Sequence, residues 1–386
     1  MSTGPLAGIK VVEIAGIGPA PCAGMMFADM GAEVIVVDRK TANCNAPDLA
    51  AGAEAAKHMF MNRGKKSIAV NMKSEEGVET VLKLIDDADI LLEGFRPGVM
   101  ERLGLGPEVC HQRNPKLVYG RMTGWGQTGP LSHAAGHDSN YIGVSGAFWY
   151  GGRKGQVPTA PLTAVGDLGG GTMILVWGVM CALTHANNTG EGQVVDAAIT
   201  DGSAYISSLL MMMKNTGLIA DEFGTGWADG GAPWNETYEC ADGGFVNICA
   251  LEPQFYQELL ERLGLTDNPT FTNQWDIPNW PQGKSELAEL FRSKTRDEWC
   301  EMLEGTDVCF GPVLNFTEAA KHPHNVARGT YLDINGVLQP APAPKFSVSE
   351  TSVGVPPAVG ANTDDLLRAA GLDEATIADL KAKGAV

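Results

Sequence analysis

Gly8-Ile9-Lys10-Val11-Val12-Glu13-Ile14-Ala15-Gly16-Ile17-Gly18-Pro19-Ala20-Pro21 opens a pattern that closes at Ala32-Glu33-Val34-Ile35-Val36-Val37-Asp38. The run from Gly8 to Ile14 is almost continuously apolar and β-branched, as a strand buried on both faces must be, and the run from Ala32 to Asp38 repeats it. Between them, Pro21 to Met30 is small and apolar and reads as a helix. Strand, helix and strand in such short order form the β-α-β unit of a parallel sheet, so the fold class is α/β.

The turn Gly16-Ile17-Gly18 is close to a dinucleotide fingerprint, with Asp38 near the place of a ribose-binding acid. Pro21, however, stands where the third glycine belongs, and two prolines remove amide donors that a pyrophosphate needs. A nicotinamide site is therefore disfavoured.

Working outward, Asn43 to His58 is mixed, small and polar, and reads as a loop or short helices. Met61 to Lys73 combines a basic turn with a strand, and Ser74 opens a helix from Glu76 to Ile85 with acids at its positive end. Ile90-Leu91-Leu92-Glu93 is a further strand. Gly94-Phe95-Arg96-Pro97-Gly98-Val99 follows at its end, where ligands bind in open α/β sheets. Arg39, Arg63, Lys65, Lys66, Lys73, Arg96 and Arg102 recur after successive strands; they read as a phosphate-binding rim or, more plainly, as solvated surface charges.

Later in the chain, Met173 to Thr184 is a buried helix and Gly202 to Lys214 a long one containing Met211-Met212-Met213, which suits core filling or the lining of an acyl site. Tyr238 to Leu251 is a hairpin turning at Asp242-Gly243. Helices begin at Glu252-Pro253 and cover Ser285 to Phe291 and Arg296 to Leu303, which makes a second, smaller α+β domain. After Gly311-Pro312-Val313, the Pro-rich Gln339 to Pro344 and Pro356-Pro357 read as extended connections; Thr363 to Ala370 and Asp373 to Lys383 are terminal helices.

Composition excludes several classes. The 386 residues call for two domains. A net charge of -18 argues against nucleic-acid binding. The eight cysteines lack CxxC or metal spacing, so no metal site is expected and reduced thiols are. No apolar run of about eighteen residues free of charges or breakers, and no signal peptide, is seen. A soluble intracellular protein without a membrane partner is expected; the cytoplasm is the first choice of compartment, with peroxisome and mitochondrion left open.

In the stretch from Gly120 to Asp167, His137 and Asp167 each sit among glycines, where backbone can approach a ligand closely. They read as an acid/base pair. The plainer reading is a satisfied loop histidine and a helix cap before Leu168.

Nine segments, taken in order, carry a resemblance: Gly16-Ile-Gly-Pro19, Val37-Asp-Arg39, Asn62-Arg-Gly-Lys-Lys-Ser67, Phe95-Arg-Pro-Gly-Val99, Gly124-Trp-Gly-Gln-Thr-Gly-Pro130, Gly136-His-Asp138, Asp167-Leu-Gly-Gly-Gly171, Gly230-Gly-Ala-Pro233 and Glu252-Pro-Gln-Phe255. The chain resembles the α-methylacyl-CoA racemase branch of the class III CoA-transferase superfamily over nearly its whole length. The resemblance implies a Rossmann-like large domain built from both chain ends, residues 1–215 and 320–386, with a small domain at 216–319 and an interlocked homodimer. It implies catalytic roles for His137 and Asp167, with Glu252 of a partner chain beside the aspartate. Arg39, Val70, Asn71, Met72, Lys73, Gly94, Phe95, Arg96, Arg102, Gly136, Asp138, Asn140 and Tyr141 fall on positions that surround CoA, which is part of the substrate, so no separate cofactor is expected. Ser139 replaces the family's usual isoleucine, and Trp227-Ala228 replaces Met-Leu; both bear on the acyl preference.

Elementary chemistry agrees with the implied activity. Inverting the carbon beside a thioester carbonyl requires one base on each face, and needs neither metal nor redox cofactor. A class III CoA-transferase with Asp167 as covalent nucleophile is the alternative, though Phe223 to Ala232 lacks the glycine-only run usual in transferases. A non-catalytic acyl-CoA-binding protein is the third reading.

Overall fold

A computed structural model describes residues 4–40, 57–161 and 163–386. The loop expected over Asn43 to His58 lies outside the described residues except for its last two positions. The chain divides into two compact units, the first Met1–Ser145, Pro161–Ile206 and Gly329–Val386, the second Gly146–Ala160 and Ser207–Arg328. Residues 146–160, 207–215 and 320–328, expected in the large domain, thus pack with the second unit.

The first unit is built on six parallel strands: β1 Lys10–Ile14, β2 Glu33–Arg39, β3 Lys66–Val70, β4 Ile90–Glu93, β5 Val118–Thr123 and β6 Val194–Ala198. Their order is β3-β2-β1-β4-β5-β6. Its helices include α1 Pro19–Asp29, α2 Glu75–Ile85, α3 Asp138–Ser145, α4 Ile174–Thr189 and α5 Ile199–Ile206. Neighbouring residues of a strand face opposite sides. Val12, Ile35 and Ile68 therefore pack against Val81 and Leu84 of α2 and against Leu366 and Ile377 of the two C-terminal helices. Val11, Val34 and Val118 pack against Phe27 of α1 and Leu175 and Val179 of α4.

The basic turn before β3 contributes two buried ion pairs. Lys65 Nζ meets Glu13 Oε2 at 2.7 Å, and Arg63 Nη2 meets Asp29 Oδ2 at 2.5 Å. These cations are therefore not part of a phosphate rim. A strand buried on both faces has no water to solvate Glu13, and a buried charge requires a partner. Lys66 is paired with Glu33.

The helix expected over Gly202 to Lys214 breaks at Ser207 into α5 and α6, Ser208–Asn215, one in each unit. Of its methionines, Met213 is buried while Met211 and Met212 are exposed. A π-helix, Ala164–Met173, leads directly into α4. The continuous helix Ala164–Thr189 is long and apolar enough to cross a membrane by length and composition, which the sequence reading did not foresee. Leu175, Val179 and Leu183 on one side of it are core residues; Met173 and Trp177 on the other are exposed.

The second unit holds an antiparallel sheet, β7 Asn235–Glu239, β8 Phe245–Cys249 and β9 Phe310–Val313. The hairpin falls where expected. β9 has no clear strand signal in the sequence, because Gly311 and Pro312 depress strand propensity; as an edge strand it tolerates proline. Trp234, Phe291 and Trp299 centre the core of this unit, and α7, Pro253–Leu263, packs on it through Leu259. Back in the first unit, β10 Tyr331–Ile334 and β11 Val337–Pro340 form a hairpin that the sequence reading missed, and the stretch expected as an extended connection from Gln339 begins inside β11.

Candidate active site

The strand order places the reversal of the sheet between β1 and β4, and in doubly wound sheets ligands bind outside the carboxyl ends of the strands at that reversal. The loops emerging there carry the residues singled out from the sequence. After β4, Glu93 Oε2 accepts the Phe95 N–H at 2.6 Å, and Glu93 Oε1 accepts from Arg121 Nε at 2.8 Å. Arg121 also reaches Glu101 Oε1 at 2.7 Å, so one buried guanidinium fastens the loop from Gly94 to Arg102 at both ends. Burial raises the Glu93 carboxyl against the opposing pull of the Phe95 N–H and Arg121. Hydrogen bonding to Arg121 lowers that of Glu101. Neither Glu93 nor Arg121 was singled out from the sequence; the only signal was an acid ending an otherwise apolar strand.

Arg39, ending β2, places its guanidinium 6.0 Å from the centre of the Phe95 ring. Val70 ends β3, and the Asn71 N–H beyond it donates to Ala385 O at 2.8 Å. Met72, Lys73 and Arg102 line an open hollow of about 650 Å³ together with Ser74 and Leu103. Asp38 accepts from Ser67 Oγ at 2.6 Å, which occupies the acid that a nucleotide ribose would have needed.

Asp167 lies in the π-helix. Wide helices of this kind are uncommon and gather at functional sites. Its entry at Thr163 has φ 57°, a left-handed conformation that costs a β-branched residue energy. Glycines let the segment nestle. A Cβ on Gly170 would fall 2.3 Å from Ser203 Oγ, and one on Gly171 3.3 Å from Pro19. Thr172 Oγ1 donates to Pro19 O at 3.0 Å, tying the π-helix to the start of α1. A Cβ on Gly18, whose φ is 75°, would stand 3.9 Å from Asp167 Oδ2, so the carboxylate faces the turn after β1.

His137 is exposed and immediately precedes α3. Its N–H donates to Asn140 Oδ1 at 3.0 Å, and Tyr141 Oη donates to Gly136 O, so both side chains close the loop that carries the histidine. Gly136 must be small, since a Cβ there would meet the Tyr141 ring at 2.6 Å. The Asp167 N–H donates to Asp138 Oδ1 at 2.8 Å. Burial raises the Asp167 carboxyl above the ordinary range, the charge of Asp138 raises it further, and the charge of His137 opposes both. The Tyr141 hydroxyl is raised by burial and by Asp167, against Arg96. His137, Asp138, Tyr141, Asp167 and Arg96 thus form one electrostatic neighbourhood. Glu252 belongs to the second unit, where it is exposed at the N-cap of α7.

The model of CoA-transferase family III matches residues 6–363. The chain is 41% identical to mouse alpha-methylacyl-CoA racemase over 97% of its own length and 96% of the relative's. It is 38% identical to the human alpha-methylacyl-CoA racemase, again over 97% and 96%. The human succinyl-CoA:glutarate CoA-transferase is more distant, 29% identical over 99% of this chain and 90% of the relative. Among solved structures, a CaiB/BaiF family protein from Brucella suis superposes with a TM-score of 0.81 at 26% identity, covering 95% of this chain and 99% of that one.

Proposed function

We propose that this chain, which belongs to CoA-transferase family III, is an α-methylacyl-CoA racemase, inverting the α-carbon of 2-methylacyl-CoA thioesters by 1,1-proton transfer through an enolate. The observation that carries the reading is that Asp138, the residue directly after His137, accepts the Asp167 N–H at 2.8 Å, which holds the loop of the imidazole against the segment that carries the carboxylate. The names and coverage of the mouse and human relatives support it.

In this mechanism one base removes the proton beside the carbonyl from one face and the other returns a proton to the opposite face. Neutral imidazole accepts a proton readily near neutrality. Asp167 is held above the ordinary carboxylate range by burial and by Asp138, which favours its carrying the second proton. Backbone amides in the glycine-rich turns stabilise the enolate oxygen. Arg39, Lys73, Arg96 and Arg102 meet the phosphates of CoA. Val70, Asn71, Met72, Gly94, Phe95, Gly136, Asn140 and Tyr141 surround the rest of the CoA moiety.

The working form is an interlocked homodimer in which Glu252 of one chain shares a proton with Asp167 of the other. Apolar surface supports a second copy. In the first unit Trp177 stacks on Tyr205 at 6.0 Å with both more than half exposed, and in the second Leu209 and Met211 are exposed.

The test is incubation of each 2-methylacyl-CoA epimer in deuterated water. Wild type is expected to incorporate deuterium at the α-carbon and to produce the other epimer; the His137→Ala/Asp167→Ala double variant does neither. CoA transfer to added free carboxylates through a hydroxylamine-sensitive Asp167 adduct, without α-exchange, would replace this reading with a transferase.

A further inference from the structure

The resemblance groups Asp138 with the residues around CoA, yet its carboxylate is committed elsewhere. Oδ1 accepts the Asp167 N–H at 2.8 Å, and a Cβ on Gly166 would fall 2.2 Å from the same oxygen, so the π-helix backbone presses directly against it. The first intrahelical bond of the π-helix runs from the Leu168 N–H to Thr163 O at 2.9 Å. The Asp167 N–H comes one residue too early for such a bond and needs an outside acceptor, as the first donors of any helix do. Asp138 supplies it from the first turn of α3, directly after His137 in the chain.

We infer that Asp138 is a positioning residue: its carboxylate caps the π-helix at the amide of Asp167 and so fixes the two bases relative to each other. This rests on the racemase reading for its consequence, though not for its geometry. Around Asp167, the start of α3 presents His137, Asp138 and, one turn on, Tyr141, whose hydroxyl also feels Arg96. Against the π-helix, α1 contributes Gly18 and Pro19 and α5 contributes Ile199, Gly202 and Ser203, none of them ionised. Asp138 therefore supplies the one like charge acting on Asp167 from these elements.

Two variants separate the cap from the charge. Asp138→Asn keeps an acceptor oxygen of the same size and loses the charge; Asp138→Ala loses both. Amide hydrogen exchange at Asp167 should rise only a few-fold in Asp138→Asn, which keeps a neutral acceptor, and at least about tenfold in Asp138→Ala, the scale of a lost charge-assisted hydrogen bond. Carbon-13 NMR of the Asp167 carboxyl in the free protein should titrate at lower pH in Asp138→Asn, because removing a negative neighbour weakens its hold on the proton. The acid limb of the α-deuteration profile moves the same way. In Asp138→Ala, kcat falls about tenfold while KM for acyl-CoA stays within about twofold.

A higher KM in both variants, with the Asp167 amide and titration unmoved, would overturn the inference and return Asp138 to the CoA contacts. Since amide exchange and titration require no turnover, a wild type that fails to invert the α-carbon defeats the racemase reading and leaves the cap measurable.

Discussion

Glu13, in the middle of β1, and Asp167, in the π-helix, are both acids that burial holds above the ordinary carboxylate range. Around Glu13 a permanent cation answers the charge. Lys65 stands 2.7 Å from its Oε2, donates to its Oε1 at 2.9 Å and donates also to Pro21 O and Asn62 Oδ1, so both charges are buried and the ammonium is fully engaged, while Oε2 accepts no hydrogen bond. Asp167 is only partly buried, faces the glycine turn after β1, and has for neighbours a second acid and an imidazole that can surrender its charge. A buried acid with a permanent, saturated cation is scaffold; one beside a like charge and a titratable base is equipped to move a proton.

The contrast breaks most visibly if function and stability fail to separate. Asp167→Ala should lower epimer inversion by about 10²–10⁴-fold, the usual worth of a general acid or base, with little change in unfolding; chiral analysis of the product and a urea titration check both halves. Lys65→Ala should do the reverse, costing about 3–5 kcal/mol of stability by stranding Glu13, while whatever protein remains folded keeps its inversion rate.

Gly170→Ala probes the ground between them. Its Cβ would arrive 2.3 Å from Ser203 Oγ, and the resulting shift of the π-helix should cost about 1–3 kcal/mol together with part of the activity. The smallest effect concerns pH. A carboxyl whose folded value is raised favours the folded state below its unfolded value and loses that contribution as pH rises through the folded one. Asp167→Asn should therefore be slightly more stable than wild type at neutral pH, with the gain vanishing in acid; thermal unfolding across pH 3 to about 7 checks the sign.

The same contrast marks what the sequence could convey. β1, β2, β3 and β4 announced themselves as apolar runs, and the switch-point logic led from them to Gly94 and its loop. β5 did not, because Gly120 and Arg121 interrupt its apolar character, although Arg121 is buried and holds the neighbouring loop. The β10–β11 turn at Asn335-Gly336, both with positive φ, is a hairpin signal that the nearby prolines obscured. Arg63 and Lys65 looked like rim charges. The clue against this was Glu13 itself, an acid in a strand too apolar to face water. His137 and Asp167 were legible as candidates because chemistry-bearing residues among glycines are unusual. The π-helix around Asp167 was not: the sequence offered a helix opening at Leu168 with Asp167 as its cap, whereas the segment begins earlier and is wide, packed through its glycines against α1 and α5.

The central claim is that two different bases serve opposite faces of one carbon, and single-base variants test it most directly. Each pure epimer is incubated in deuterated water with His137→Ala and, separately, with Asp167→Ala, and α-deuterium and configuration are both followed. Each variant should exchange the α-hydrogen of only one epimer at an appreciable rate, a different one in each case, with inversion of both reduced by about 10²–10⁴-fold. Undiminished inversion by either variant, or exchange of the same epimer by both, would contradict the account.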